Sequence, residues 1–414
     1  MRKIIVVGGG FGGLNTVRSL KNAQVEILLI DRTNHHVFQP LLYQVATAAL
    51  SVENITTPLR EILKNQSNVR VLMAEIEKIN LENQYIQAVD GQQFYYDDLI
   101  LAPGARHTYF GHDNWEHFAP GLKTVADAFR IREKMLMAFE KAERCENREA
   151  VQSSLSFVII GAGPTGVEMA GSMAEFAHRT LFKNFRSINP ANSKIYLIEE
   201  GQQILPSFPG ELANRALEDL KQLGVEVLLN TFVTQVTDQG VYMNEKFLPA
   251  FTVVWAAGNE ASPLVKSLGV SLDKQSRVKV QPDLTIPGFT NVFVIGDAAA
   301  VVSSKNEFLP GIAPVAIQQG HYVANLIKKN ILPSNRKPFL YWDKGMIATI
   351  GRGRAVAILG NFKFSGFLAW LIWCFIHILY LVSFGHRLLV MIQWIFLYLF
   401  NRRQARVIIR PIQE

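Results

Sequence analysis

The chain has 414 residues, 49% hydrophobic and 19% charged, which excludes global disorder and suggests two or three domains. Basic side chains number 42 against 35 acidic ones, a formal charge of +7. Much of the excess gathers in Arg402, Arg403, Arg406 and Arg410, and no basic stripe with stacking aromatics runs through the body, so an anionic lipid surface is expected and no nucleic acid.

Cys145 and Cys374 lie far apart and form no CxxC pair, so neither a redox disulfide motif nor a thiolate metal site is expected, as suits a reducing cytoplasmic setting. No signal peptide is expected, because Lys3–Val7 runs straight into glycines. That run reads as a strand. Gly8, Gly10 and Gly13 follow at G-x-G-x-x-G spacing, then a helix through Leu14–Leu20 and a strand Val25–Ile30 that ends on Asp31. Gly8 permits the tight turn, Gly10 lets backbone approach a pyrophosphate, and Gly13 lets helix and strand pack closely. The helix start offers N–H groups to phosphate, and Asp31 stands where a ribose is bonded. His35 and His36 point to opposite faces of an extended segment, so no metal site is expected.

Residues 121–150 read as a charged helix linking two folds. The pattern then repeats. Strand Ser156–Ile160 leads into Gly161, Gly163 and Gly166, and the acid arrives late, at Glu199 after strand Lys194–Ile198. Between them, Phe176–Asn192 looks like an extended helix plus a loop. No arginine follows Glu199 to meet a 2′-phosphate, so NADH is expected over NADPH, unless Glu199 is simply a solvated strand end. Two such folds suit one nucleotide that stays, FAD on the first, and one that exchanges on the second, inserted fold. Asn291–Ile295 reads as a strand of the first fold, ending in Gly296-Asp297 before a small-residue helix Ala298–Val302; Asp297 is placed to contact flavin ribitol or pyrophosphate. No G-x-S-x-G, H-E-x-x-H or Cys–His pairing is present, which agrees with chemistry carried by a cofactor.

Near the end, Gly366–Phe384 is apolar, Gly385-His386-Arg387 interrupts it, and Leu388–Phe400 resumes. Three readings stay open: a span, helices lying in the membrane surface, or core or dimer helices. The second run is too short to span. A single span would separate the enzyme from its arginine tail, against the positive-inside tendency. Surface-lying helices keep Arg387 and the tail arginines among the headgroups.

Together these segments resemble the two-dinucleotide-domain flavoprotein reductases, and within them the type II NADH dehydrogenases, which are non-proton-pumping NADH:quinone oxidoreductases. The resemblance covers nearly the whole chain. His35–Thr47 is similar to that family's flavin-lining segment. Asp97–Ala105 and Thr252–Ser262 look like its two strand–glycine crossings, with Ala102, Gly104, Ala257 and Gly258 at the cofactors. Ile198–Phe208 matches the acid-bearing strand end, Gly311–Gly320 the quinone segment and Tyr341–Gly351 the strand beyond it. One position departs: the family's A-Q-x-A-x-Q reads Ala313-Pro314-Val315-Ala316-Ile317-Gln318 here, and proline cannot supply a glutamine's amide bonds. Pro314 also suits an ordinary helix first turn.

The resemblance implies that Glu168 relays a proton toward quinone; otherwise it serves its helix dipole. Gln318 either bonds a quinone carbonyl or caps surface backbone, and Lys344 either stabilises negative charge on reduced flavin or quinone or is an exposed turn lysine. The expected architecture is α/β with two Rossmann-like domains: FAD on 1–120 and 271–330, a linking helix 121–150, NADH on 151–270, and a C-terminal domain 331–414 whose segment 366–400 associates with membrane. The expected enzyme transfers a hydride from NADH to flavin and two electrons to a membrane quinone without pumping ions, from the cytoplasmic face of the cell membrane; a homodimer is left open. Rival acceptors are a small redox protein or sulfide chemistry, the latter disfavoured because both cysteines lie outside the flavin segments. A redox-sensing flavoprotein resembling apoptosis-inducing factor is the rival of another class.

Overall fold

The computed structural model describes residues 1–303, 306–400, 403 and 405–408, so Arg402 and Arg410 lie outside the described residues. The chain gathers into two compact units: Met1–Val37, Thr56–Arg106 and Asn259–Asp343 form the first, and Phe38–Ile55, His107–Gly258 and Lys344–Glu414 the second.

The first unit is built on strand Arg2–Val7, whose four buried residues Ile4, Ile5, Val6 and Val7 need cover on both faces. It pairs in parallel with Val25–Asp31 on one side and Asp98–Leu101 on the other, within a six-stranded sheet. Helix Phe11–Ser19 packs on helix Ala313–Lys328 so closely that a side chain at Gly320 would meet the Gly12 carbonyl. Proline stands in the first turn of the latter helix, so the ordinary reading of Pro314 holds. The expected small-residue helix at Ala298–Val302 is absent. Gly296–Ala298 is a 3-10 turn, and Ala299–Ala300 pairs as a strand with Val278–Lys279, which claims the backbone groups a helix would use.

The second unit repeats the plan with a four-stranded parallel sheet. Strand Ser156–Ile160 lies between Lys194–Ile198 and Thr252–Trp255, over a core that includes Trp115, Tyr196 and Trp255. The expected charged helix 121–150 is two helices. A capping box of Thr124 and Asp127 starts Val125–Arg144, and Asn147 caps Arg148–Ser154. Helix Pro164–Glu175 runs on into a π-helical turn, Phe176–Thr180.

The C-terminal portion of this unit is a three-stranded sheet, Met346–Gly351, Arg354–Leu359 and Phe362–Ser365, followed by helices Gly366–Tyr380 and Phe384–Phe400. The break falls at Leu381–Ser383, earlier than expected, and Gly385-His386-Arg387 is helical because the Ser383 carbonyl accepts the Arg387 N–H. Among the described residues no helix is long and apolar enough to cross a membrane. Trp373 and Trp394 stack inside, while Phe367, Leu368, Leu371, Phe375, Leu388, Ile395 and Leu399 stand exposed.

Candidate active site

In the first unit the backbone turns at Gly8 with φ +101°, open to glycine and strained for other residues. A side chain there would also collide with the Ala102 carbonyl. Gly10, by contrast, faces open space and carries no side-chain cap for the helix that starts after it. Asp31 closes the turn: Oδ2 accepts the Gly9 N–H at 2.6 Å, and Oδ1 accepts the Thr33 N–H at 2.7 Å and its hydroxyl at 2.8 Å. A carboxylate has about four acceptor positions, so a ribose hydroxyl can still be received. His36 lies over the turn with Nδ1 3.0 Å from the Gly9 carbonyl oxygen; its buried Nε2 has no partner among the described residues, and burial lowers its pKa. His35 turns instead to Asn34.

Gly104 follows the neighbouring strand with φ +72°, and the Ala102 N–H is held by the Val7 carbonyl. Gly296 presents its N–H to Gln319 Oε1 at 2.6 Å, and Gly311 leaves room beside the Asp297 carboxylate. The sequence reading missed Gln319. It was findable, since it falls on the buried stripe Val315, Gln319, Val323 at helical spacing, where a polar residue needs a reason. Gln318 is engaged as the second of its two readings has it. Its Nε2 donates to the Trp342 carbonyl at 2.9 Å and its Oε1 accepts the Trp342 N–H at 2.9 Å, so both ends of the amide serve backbone.

The second unit carries the same turn. Glu199 Oε2 accepts the Ala162 N–H at 2.7 Å and Oε1 the Gly201 N–H at 2.9 Å, so Glu199 is more than a solvated strand end. Gly163 faces open space with no side-chain cap, and a side chain at Gly166 would strike the Gly161 carbonyl. Ala257 and Gly258 follow strand Thr252–Trp255, Gly258 with φ +77°. The open glycine, the uncapped helix start and the acid on the turn suit a nucleotide in both units, and in the first the buried imidazole nitrogen of His36 offers one further polar group beside the turn.

Beyond its turn the second unit holds a small cleft between helix Pro164–Glu175, the Tyr43–Ala49 segment, the end of strand Met346–Gly351 and the C-terminal tail. Half-buried Glu168 lines it. Burial pushes its carboxyl up to about 8, partly offset by the Thr349 N–H that bonds it. Tyr43 faces the same cleft, and burial followed by the charge of Glu168 raises its pKa. Its hydroxyl accepts Gln44 Nε2 at 3.0 Å, and Gln44 Oε1 in turn accepts the Trp394 indole N–H at 2.8 Å. The headgroup role expected of the tail arginines fails for Arg403, which is only 3% exposed and bonds Thr47 and Ser172; Arg406 bonds Asn184, and Arg387 bonds the Leu381 carbonyl. A buried guanidinium takes carbonyl partners because water no longer supplies them. Lys344 is exposed and donates to the Tyr380 hydroxyl at 2.9 Å. Both cysteines are free, and burial raises Cys374 to about 12.

A family profile described as pyridine nucleotide-disulphide oxidoreductase matches residues 2–320, and one described as NDH2 C-terminal domain matches residues 343–403. The chain is 43% identical to a Mycobacterium tuberculosis protein named type II NADH:quinone oxidoreductase Ndh, over 97% of this chain and 89% of the relative. Among solved structures, NDH2 of Plasmodium falciparum in complex with NADH is similar at a TM-score of 0.89 and 24% identity, covering 99% of this chain and 100% of that one. The sulfide:quinone oxidoreductase of Aquifex aeolicus shares the fold at a TM-score of 0.73 and 20% identity, covering 97% and 96%.

Proposed function

For this chain, which belongs to the pyridine nucleotide-disulphide oxidoreductases and within them to the type II NADH:quinone oxidoreductases, we propose a division of labour among its residues. The enzyme is an FAD-dependent, membrane-associated oxidoreductase that passes electrons from NADH to quinone. FAD, when bound, supplies the two-electron relay between nicotinamide and quinone.

The turn of Gly8, Gly10 and Gly13 with Asp31 holds FAD, helped by Ala102, Gly104, Gly296 and Asp297. The turn of Gly161, Gly163 and Gly166 with Glu199 receives NADH, helped by Ala257 and Gly258. Glu199, held by two N–H groups, leaves its negative charge where a 2′-phosphate would lie, which favours NADH over NADPH. Glu168 keeps a proton for quinone reduction. The observation that carries this is a carboxyl raised to about 8, so that it stays protonated near neutrality, lining a cleft with Tyr43. Gln318 and Lys344 act by holding Trp342 and Tyr380 in place. The exposed apolar face of the two terminal helices rests on the lipid surface, at the cytoplasmic side of the membrane where NADH is available.

The test is NADH oxidation by the purified protein in lipid vesicles with menaquinone and ubiquinone analogues. Stimulation by either is expected, and no stimulation by both would sink the quinone reading. Glu168→Gln should lower quinone turnover about 100-fold. In the parent enzyme turnover should hold up to pH about 8 and fall above it, as Glu168 loses the proton it donates. That limb should be missing from the variant's pH profile.

A further inference from the structure

The tail arginine placed inside the second unit has a position that the reading of Glu168 leaves unused. We infer that Arg403 is a positioning residue for quinone reduction: carried in by the C-terminal tail, its guanidinium fastens the Thr47 turn to Ser172 and so fixes Tyr43 and Glu168 across one cleft. The inference rests on that reading of Glu168.

Nη1 of Arg403 donates to the Thr47 carbonyl oxygen at 2.6 Å and to Ser172 Oγ at 3.2 Å, and Nη2 donates to the Ser172 carbonyl oxygen at 3.0 Å. Nη2 also lies 3.7 Å from Glu175 Oε2. Thr47 Oγ1 and Ser172 Oγ are themselves 2.7 Å apart. Each gripped residue sits one helical turn from a group that faces the cleft. The Thr47 N–H and hydroxyl both bond the Tyr43 carbonyl at 2.9 Å, and Ser172 follows Glu168 by four residues on the same helix. A second tail residue, Trp394, holds Tyr43 through Gln44.

The clamp requires a planar fork. Guanidinium donates to two carbonyls at once along fixed directions, whereas an ammonium is a point charge on a flexible stem. Burial lowers the Arg403 pKa, while Glu175, Tyr398 and Tyr43 raise it, in that order. The titratable and charged groups facing the clamp are Glu168 and Glu175 from the helix, Tyr43 from its own turn, Arg352 from the strand end and Tyr398 from the second terminal helix. Loosening the clamp changes their spacing and with it the pH at which Glu168 gives up its proton.

The experiment compares full-length, FAD-loaded Arg403→Gln, Arg403→Lys and Ser172→Ala in vesicles of phosphatidylcholine and phosphatidylglycerol with a menaquinone analogue. Flavin reduction by NADH, read as absorbance in anaerobic stopped flow, should stay within about twofold of the parent in all three. Quinone-dependent kcat should fall about tenfold in Arg403→Gln with KM for NADH unchanged, and lysine should restore less than about half of it. The pH at which turnover falls should move in both arginine variants, and by less, in the same direction, in Ser172→Ala. Parent-like turnover and pH profiles would overturn the inference. So would full rescue by lysine, which would make charge sufficient, or a parallel loss of flavin reduction, which would mark a merely structural role. Glu168→Gln in the same assay separates the two ideas: if it keeps full turnover the reading of Glu168 fails, and if it alone is impaired only the clamp fails.

Discussion

In the first unit 22 residues separate Gly9 from the carboxylate that bonds its N–H; in the second 37 separate Ala162 from Glu199. The hydrogen bonds are nonetheless the same. Gly8 N–H bonds the Ile30 carbonyl and Gly161 N–H the Ile198 carbonyl, each at 2.8 Å. Ile30 is the parallel partner of Val7 and Ile198 that of Ile160, so each acid stands one residue past the partner of the strand's last residue. Register in a parallel ladder therefore sets where the acid falls, and separation along the chain only approximates it. The extra residues fall in the stretch 176–193 ahead of the second strand, which includes the π-helical turn Phe176–Thr180 and the 3-10 turn Pro190–Asn192. What covers the turns does differ. An imidazole lies on the Gly9 carbonyl in the first, whereas the Leu205 N–H bonds the Ala162 carbonyl in the second.

If the turns are alike in geometry but hold different nucleotides, breaking them should give different losses. Gly8→Ala combines positive φ with a collision against the Ala102 carbonyl, and flavin content, measured as absorbance per chain, should drop to about a tenth or less. Gly161→Ala meets the Ala257 backbone and should keep its flavin while KM for NADH rises about tenfold. Loss of flavin from the second variant would undo the assignment. Comparable in size, Glu199→Gln should raise KM for NADH about tenfold and narrow the preference over NADPH, because charge-assisted bonds to two N–H groups are weakened. Kinetics with both nucleotides would read this. The smallest effect belongs to the feature that distinguishes the turns. His36→Phe keeps the ring edge against Phe11 but removes both nitrogens, and FAD should be lost on dialysis about fivefold faster, with KM for NADH unmoved.

Both glycine turns were legible because their constraint is local: backbone collides with backbone whatever surrounds it. Asp31 and Glu199 were legible for the same reason, since each ends a strand that pairs with its neighbour residue by residue. Gln318 and Gln319 show where local reading stops. Adjacent helical residues point about 100° apart, and only the packed helix decides that Gln319 meets Gly296 while Gln318 meets Trp342. Arg403 was illegible for a further reason. A basic residue after an apolar run suits lipid headgroups as well as it suits buried carbonyls, and the choice rests on Thr47 and Ser172, far away in sequence. Hydropathy likewise shows the terminal helices as apolar on all sides. It does not tell that Trp373 and Trp394 face inward while Phe367 and Phe375 face out.

That outward face bears on how the enzyme finds its acceptor. An enzyme resting on lipid searches a sheet for quinone in place of a volume, so encounter frequency follows the number of quinones per lipid molecule. Adding empty vesicles at fixed total quinone should then slow turnover by surface dilution, although the concentration in the cuvette is unchanged.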